Sequence, residues 1–217
     1  MKLTIFDLDN TLLAGDSDYA WGQFLVEKDI VDAEHYTETN DRFYEDYKNK
    51  TLNIREYQRF VLTPLMVMSI EQRESLHQEF MSSVIAKLRL PKADALIKQH
   101  QERGDKLLII TATNRFIAGP IGPWLGIDEI LATEPEIVNE QFTGNIFGTP
   151  CFQEGKISRL QQWLKKEKNS PDFITFYSDS INDLPLLDYA DKPVAVDPDD
   201  KLRAHATSAN WEIMSLR

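Results

Sequence analysis

In the stretch IFDLDNTLL (Ile5–Leu13), Asp7 and Asp9 stand two residues apart behind an apolar run, with Thr11 two residues further on. Three more polar stations follow along the chain: Thr111 closing LIIT, Lys156 in EGKI, and Asp179 with Asp183 in SDSINDL. Each alone has an ordinary structural reading, because Asp is a common turn and cap residue and a lysine often opens a solvated helix. Together they meet one chemical need. A carboxylate such as Asp7 can attack a phosphate ester and form an aspartyl phosphate. Both reactants are anions, and unit charges about 4 Å apart repel by roughly 4 kcal/mol at an effective dielectric near 20. Counter-charge must therefore stand close by. Asp7 and Asp179 offer the hard oxygens that Mg2+ prefers. Lys156 adds a positive point charge, and the Thr111 hydroxyl holds phosphate oxygens as charge spreads over them. Asp9 is left as general acid for the leaving oxygen and then as base for the hydrolytic water.

Such a site needs elements that bring distant stations together. LTIF (Leu3–Phe6), LLII (Leu107–Ile110, ending at Thr111), FITFY (Phe173–Tyr177) and KPVAV (ending at Asp197) are short, β-prone and apolar, and each runs into polar residues at its carboxyl end. Helical stretches alternate with them: Pro91–Gly104, Arg115–Leu125, Lys156–Lys168 and Asn182–Tyr189. The alternation predicts an α/β fold, a Rossmann-like parallel sheet with helices on both faces, whose ligands sit at the carboxyl ends of the strands. Residues 15–89 read differently, as amphipathic helices carrying Trp21, Phe24, Phe43, Tyr44, Tyr47, Tyr57, Phe60 and Phe80 at spacings of three and four. The expected division is a core of residues 1–14 and 90–217 with an inserted α-helical unit at 15–89, its aromatic stripe read as core. Glu136–Phe147 alternates around NEQ and predicts a small hairpin.

The 217 residues allow one sizeable core. A formal net charge of -11 argues against nucleic acid or an anionic membrane as the main partner. Without a long apolar run or a leader-like start, a cytoplasmic protein that is a monomer or homodimer is expected. The lone Cys151 reads as a packed residue, and His35, His77, His100 and His205, lacking ligand spacing, read as surface residues.

The set DLDNT, LIIT, EGKI and SDSINDLPLL, in that order, resembles the four motifs of the haloacid dehalogenase superfamily of phosphatases, and the insert resembles the helical cap of its phosphoserine-phosphatase-like subgroup. The resemblance implies a Mg2+ site of Asp7, the Asp9 backbone carbonyl, Asp179 and Asp183. It further implies that Asn182 contacts phosphate beside Thr111 and Lys156, and that Asp16 stands where phosphoserine phosphatases carry a Glu for the substrate amine. Ser178 replaces a glycine that many members carry, a change expected to crowd the metal turn. AGDSDYAWG (Ala14–Gly22) and GTPCFQEGK (Gly148–Lys156) are more similar to bacterial histidinol-phosphatases of the superfamily. The resemblance thus points to a small phosphorylated metabolite bearing an amine, L-histidinol phosphate foremost. Asp16 and Asp18 suit an amine, while Arg42, Arg55 or Arg59 would be needed for a carboxylate. Phosphoserine hydrolysis and phosphotransfer to another acceptor remain open. A phosphorylatable receiver fits poorly because its acceptor lies on a middle strand, and a non-catalytic binding protein has no use for Asp9.

Overall fold

The computed structural model describes residues 1–167 and 170–217. The first apolar run becomes β1 (Lys2–Phe6), followed by helices α1 (Ser17–Glu27), α2 (Ala33–Asn49), α3 (Ile54–Leu62) and α4 (Ile70–Ser83). Then come α5 (Pro91–Glu102), β2 (Lys106–Asn114), α6 (Arg115–Leu125), β3 (Ile130–Thr133), and the strands β4 (Pro135–Val138) and β5 (Gln141–Ile146). The chain ends with α7 (Glu154–Leu164), β6 (Phe173–Ser178), α8 (Leu184–Tyr189), β7 (Lys192–Val196), α9 (Asp200–Ser208) and β8 (Glu212–Met214). A six-stranded sheet runs in the order β3-β2-β1-β6-β7-β8, with every neighbouring pair parallel. β1 is thus interior, between β2 and β6, and a strand covered on both faces needs an unbroken apolar run such as LTIF.

Alternate residues of β1 feed two cores. Leu3 and Ile5 pack with Leu108, Ile110 and Phe176 against Leu160, Leu186 and Leu202 of α7, α8 and α9. Phe6 faces the other way and joins Ile109, Val194 and Val196 to residues of α1, α3, α4, α5 and α6. The second cluster runs without a break from the sheet into the helices that follow β1. Its centre is the fully buried Trp21, whose ring meets Phe24, Phe80, His77 and Phe116 at centroid distances of 5.0 to 6.1 Å.

The expected α/β architecture is the observed one, with several corrections. β3 and β8, at four and three residues, are too short to announce themselves in sequence. β2 does not stop at Thr111: a register shift between Ile110 and Asn114 lets it continue until Asn114 pairs with Thr133. The last helix of the α/β pattern begins with a single 3₁₀ turn at Ile181–Asp183 before α8. α7 starts two residues before Lys156, and its expected end at Lys168 lies outside the described residues. The hairpin forms as β4–β5, closed by Asn139 and Glu140, both at positive φ (49° and 66°). Its face packs on α3, and Arg73 of α4 donates to the Glu140 carbonyl at 2.7 Å. Among the described residues no helix is long and apolar enough to cross a membrane.

Two of the four histidines are not surface residues. His100 (5 % exposed) bonds Thr4 Oγ1 at 3.1 Å and Asp105 at 2.7 Å through Nδ1, and the Tyr177 hydroxyl at 2.9 Å through Nε2. His77 lies among Trp21, Phe80 and Phe116, with Nε2 3.2 Å from the Ile117 carbonyl. Each finds its polar partners in tertiary contacts, which charged sequence neighbours could not reveal. Burial lowers the His77 pKa below the usual 6.5, only partly offset by the Ile117 carbonyl. A depressed folded-state histidine pKa means that the unfolded chain binds the proton more readily. Its contribution to stability is complete above the unfolded value and is lost as pH falls below about 6.5. Chemical denaturation of His77→Gln, which keeps a side-chain N–H, should show a shallower loss of stability than wild type between pH 6.5 and 5. Identical slopes would remove His77 from the acid response.

Candidate active site

Asp7 follows the end of β1, where its amide donates to the Tyr177 carbonyl of β6 at 2.9 Å. Lys156 reaches it from the first turn of α7. Its Nζ lies 2.8 Å from Asp7 Oδ1 and 2.7 Å from the Asp183 carboxylate. All three side chains are almost wholly buried. The turn that aims Lys156 is tight: Gln153 sits at φ 49°, and a Cβ on Gly155 would run into the Pro150 carbonyl oxygen. Only glycine fits that approach. Asp183 is held from its other side by Ser178 Oγ at 2.7 Å, while Ser178 Oγ accepts from the Ser180 amide at 3.2 Å. The serine expected to crowd this turn instead orients a carboxylate.

Asp9 is fixed by groups from two elements. Its Oδ1 accepts from the Ser17 amide at the start of α1 (2.6 Å), and its Oδ2 from the hydroxyls of Thr113 (2.6 Å) and Thr111 (3.4 Å) on β2. Asp179 takes a hydrogen bond from Thr11 Oγ1 at 3.2 Å. Asp16 caps α1, accepting from the Tyr19 amide at 2.9 Å. Six of the predicted site residues, Asp7, Asp9, Asp16, Thr111, Lys156 and Asp183, line one cavity. Asp179 and Asn182 open onto the adjoining groove. Asn182 there donates to the Tyr47 carbonyl (2.9 Å) and accepts from Gln153 (3.1 Å), tying the end of α2 to the sheet.

The electrostatics are lopsided. Burial pushes the Asp7 carboxyl up to about 7, against the pull of Lys156. Burial, then the neighbouring Asp7 and Asp183, hold Asp179 well above the usual carboxylate range. Burial also opposes the charge on Lys156, yet Asp183 and Asp7 keep its ammonium above its ordinary value. One cation faces three carboxylates. At the far end of the cavity, burial and then Asp9 raise Asp16 to about 7, and burial followed by Asp16 and Asp9 raises Asp18 well above its usual value.

Sequence reasoning misassigned part of the lining. Phe43, Tyr44 and Tyr47 of α2 and Tyr57 of α3 wall the cavity, while Trp21, Phe24, Phe60 and Phe80 of the aromatic stripe stay clear of it and pack in the core. Helical spacing cannot say which apolar face meets protein and which meets a cavity. Arg42, Arg55 and Arg59 do not line it: Arg42 lies over the Phe43 ring, Arg55 turns to the Gly148 carbonyl, and Arg59 flanks Gly144 of the hairpin. Thr113, Asn40 and Tyr19 went unnoticed, since neither type nor spacing distinguishes them. Cys151 is packed as expected, its thiol pushed up to about 12 by burial.

The model of the haloacid dehalogenase-like hydrolases matches residues 4–188. The chain belongs to that family. A histidinol-phosphatase of Neisseria meningitidis serogroup C (strain 8013) is 42% identical over 220 residues, covering 100% of this chain and 99% of that one. The phosphoserine phosphatase SerB1 of Mycobacterium tuberculosis is 29% identical, over 98% of this chain and 70% of its own length. Among solved structures, a protein of unknown function from Bordetella pertussis Tohama I superposes with a TM-score of 0.93 at 36% identity, covering 100% and 99% of the two chains. A substrate-bound phosphoserine phosphatase, at 18% identity and covering 100% and 93%, shares the fold with a TM-score of 0.71. This haloacid dehalogenase-like hydrolase is accordingly an enzyme of the phosphatase type.

Phosphatases of the family generally use Mg2+. Among the described residues no three His, Cys, Asp or Glu side chains are arranged as a ready metal cluster. The donor chemistry nevertheless fits a divalent cation. Asp7 and Asp179 bring hard carboxylate oxygens to one place, and Lys156 leaves their excess negative charge uncompensated. Millimolar Mg2+ should therefore raise the melting temperature of the apo protein by several degrees, the expected response of a native state that alone binds the ion. Asp179→Asn should abolish the rise. An equal rise in that variant would take Asp179 out of the ion's shell.

Proposed function

We propose that the chain is a Mg2+-dependent phosphomonoesterase that acts through phospho-Asp7 on L-histidinol phosphate. The observation that carries the substrate is the cavity's charge. Its lining includes four carboxylates besides Asp7, those of Asp9, Asp16, Asp18 and Asp183, with Lys156 as the one cationic side chain among the described lining residues. Lys156, paired with Asp7 and Asp183, serves the phosphate end. A substrate carboxylate such as that of phosphoserine finds no partner there. An amine finds Asp16, and an aromatic heterocycle finds Phe43, Tyr44 and Tyr57. The 42% identity to a histidinol-phosphatase supports the same reading.

In the proposed reaction an Asp7 oxygen attacks phosphorus as the ester P–O bond breaks. Asp9, oriented by Ser17 and Thr113, protonates the departing alkoxide. Thr111 and Lys156 hold phosphoryl oxygens, and Asn182 closes the phosphate end from the groove. Asp9 then takes a proton from water, whose oxygen attacks the phosphorus of phospho-Asp7 and releases inorganic phosphate. Bound beside Asp7 and Asp179, with the Asp9 carbonyl and Asp183 nearby, Mg2+ would neutralise the approaching dianion. Helices α1–α4 would act as the cap that keeps bulk water from the reacting atoms.

The test is phosphate release in the presence of Mg2+, with kcat/KM compared for L-histidinol phosphate, phosphoserine and generic sugar and nucleotide phosphates. A preference of at least about a hundredfold for histidinol phosphate is expected, in line with sites that pair a substrate's polar groups. A flat profile or a preference for phosphoserine would overturn the substrate. Asp7→Asn should lose turnover on every ester while keeping the wild-type circular dichroism spectrum. Near-normal activity in that variant would overturn the mechanism.

A further inference from the structure

Asp18, at the second position of α1, is only 5 % exposed and forms part of the inner wall of the cavity. Among the described residues its hydrogen-bonding neighbours are all neutral: Thr113, Asn114 with Nδ2 3.4 Å from Oδ1, and Gln58 with Nε2 3.5 Å from Oδ2, the last two long for hydrogen bonds. Carboxylates this deep are ordinarily matched by a cation or by short, strong donors. Its surroundings are short of partners as well. Gln58 is fully buried with its amide head against Asp18, yet among the described residues Gln58 Oε1 meets no donor and the buried hydroxyl of Tyr36 has no partner. Both Tyr36 and Tyr57 have their hydroxyls raised by burial and then by the charge of Asp18, which places them around it. Native interiors leave few such groups unsatisfied, so the polar groups around Asp18 are short of donors.

We infer that Asp18, backed by Gln58 and Asn114, is a second substrate subsite that accepts a ring N–H, distinct from Asp16, which takes the amine. The inference rests on the histidinol-phosphatase reading and divides its recognition between two carboxylates. The Asp18 carboxylate is the member of this group on the cavity wall and is an acceptor, so the group that completes it is a donor, as an imidazole N–H is. The two subsites share one wall: Thr111 and Thr113 of β2 both reach Asp9 Oδ2, and the next residue, Asn114, reaches Asp18. Asp16 sits at the turn into α1, two residues before Asp18, where a chain amine would lie between phosphate and ring.

The test compares kcat/KM for L-histidinol phosphate with that for L-phenylalaninol phosphate, which keeps the amine but has no ring N–H, and for imidazolylpropanol phosphate, which keeps the ring but has no amine. Wild type should favour histidinol phosphate over phenylalaninol phosphate by at least about a hundredfold, because a site built to hydrogen-bond a donor rejects the analogue that lacks it. Asp18→Asn should shrink that ratio at least tenfold, with KM for histidinol phosphate rising, while keeping the preference for histidinol phosphate over the deaminated ester. Asp16→Asn should do the reverse. Gln58→Met, which removes the free acceptor without touching the helix start, should move the same ratio as Asp18→Asn and serves if that variant is unstable. A wild-type preference that survives both Asp18→Asn and Gln58→Met overturns this inference alone. A wild type indifferent to the ring N–H overturns the substrate reading and this subsite with it.

Discussion

The burial of two carboxylates around one ammonium, with a third carboxylate beside them, is the constraint from which the rest of the site follows. Lys156 stands between Asp7 and Asp183 with almost no access to water, and Asp179 adds a further negative charge beside them. Removing one member of such a buried pair commonly costs about 3–5 kcal/mol, since the charge left behind has no solvent to turn to. The surrounding polar contacts serve this arrangement. Gly155 lets α7 start close enough to Pro150 for Lys156 to reach inward, Ser178 steadies Asp183, and Thr11 steadies Asp179. A polypeptide gathers so much like charge only at strand ends whose backbone geometry is already fixed by a sheet.

That sheet gives the site its precision, and the helices give it selectivity. β1, β2 and β6 deliver Asp7, Thr111 and Asp179 from strands locked in parallel register. The wall opposite is built by α1, α2 and α3, whose aromatic and acidic residues face the same cavity. The two halves are stitched at the rim. Tyr47 donates its hydroxyl to Ser180 at 3.1 Å and its carbonyl accepts from Asn182, while Lys201 of α9 reaches the Lys48 carbonyl. Each stitch joins the C-terminal end of α2 to the turns that follow β6 and β7, beside Asp179.

Much of this was legible before any coordinates. Asp7, Asp9, Thr111, Lys156 and Asp183 converge because strand and helix alternate in the sequence, and the alternation alone implies that polar strand ends meet. The family match over residues 4–188 agrees with the fold and with the hydrolase class. What could not be read was set by contacts between remote residues. The depth of His77 and His100 depends on neighbours 40 to 96 positions away. The bulge that carries β2 past Thr111 arises from pairing with β3, a strand too short to recognise. α2 reads as one amphipathic helix, yet Tyr36 packs on Phe60 while Tyr47 faces the cavity, a split that depends on where the sheet lies. Ser178 was legible as a departure, but its benefit to Asp183 was visible only in three dimensions.

The cluster around Trp21 has a consequence for how the molecule comes apart. Because Phe24, Phe80 and Phe116 enclose the same indole from α1, α4 and α6, the inserted helices and the sheet share one apolar interior instead of meeting across a watery seam. Segments joined in this way gain and lose their packing together. The insert is therefore no separate folding unit hung on the sheet by two linkers. That interior also takes in Tyr36 of α2 and Val61 and Leu62 of α3, so the insert and the sheet gain and lose their packing as one cooperative body.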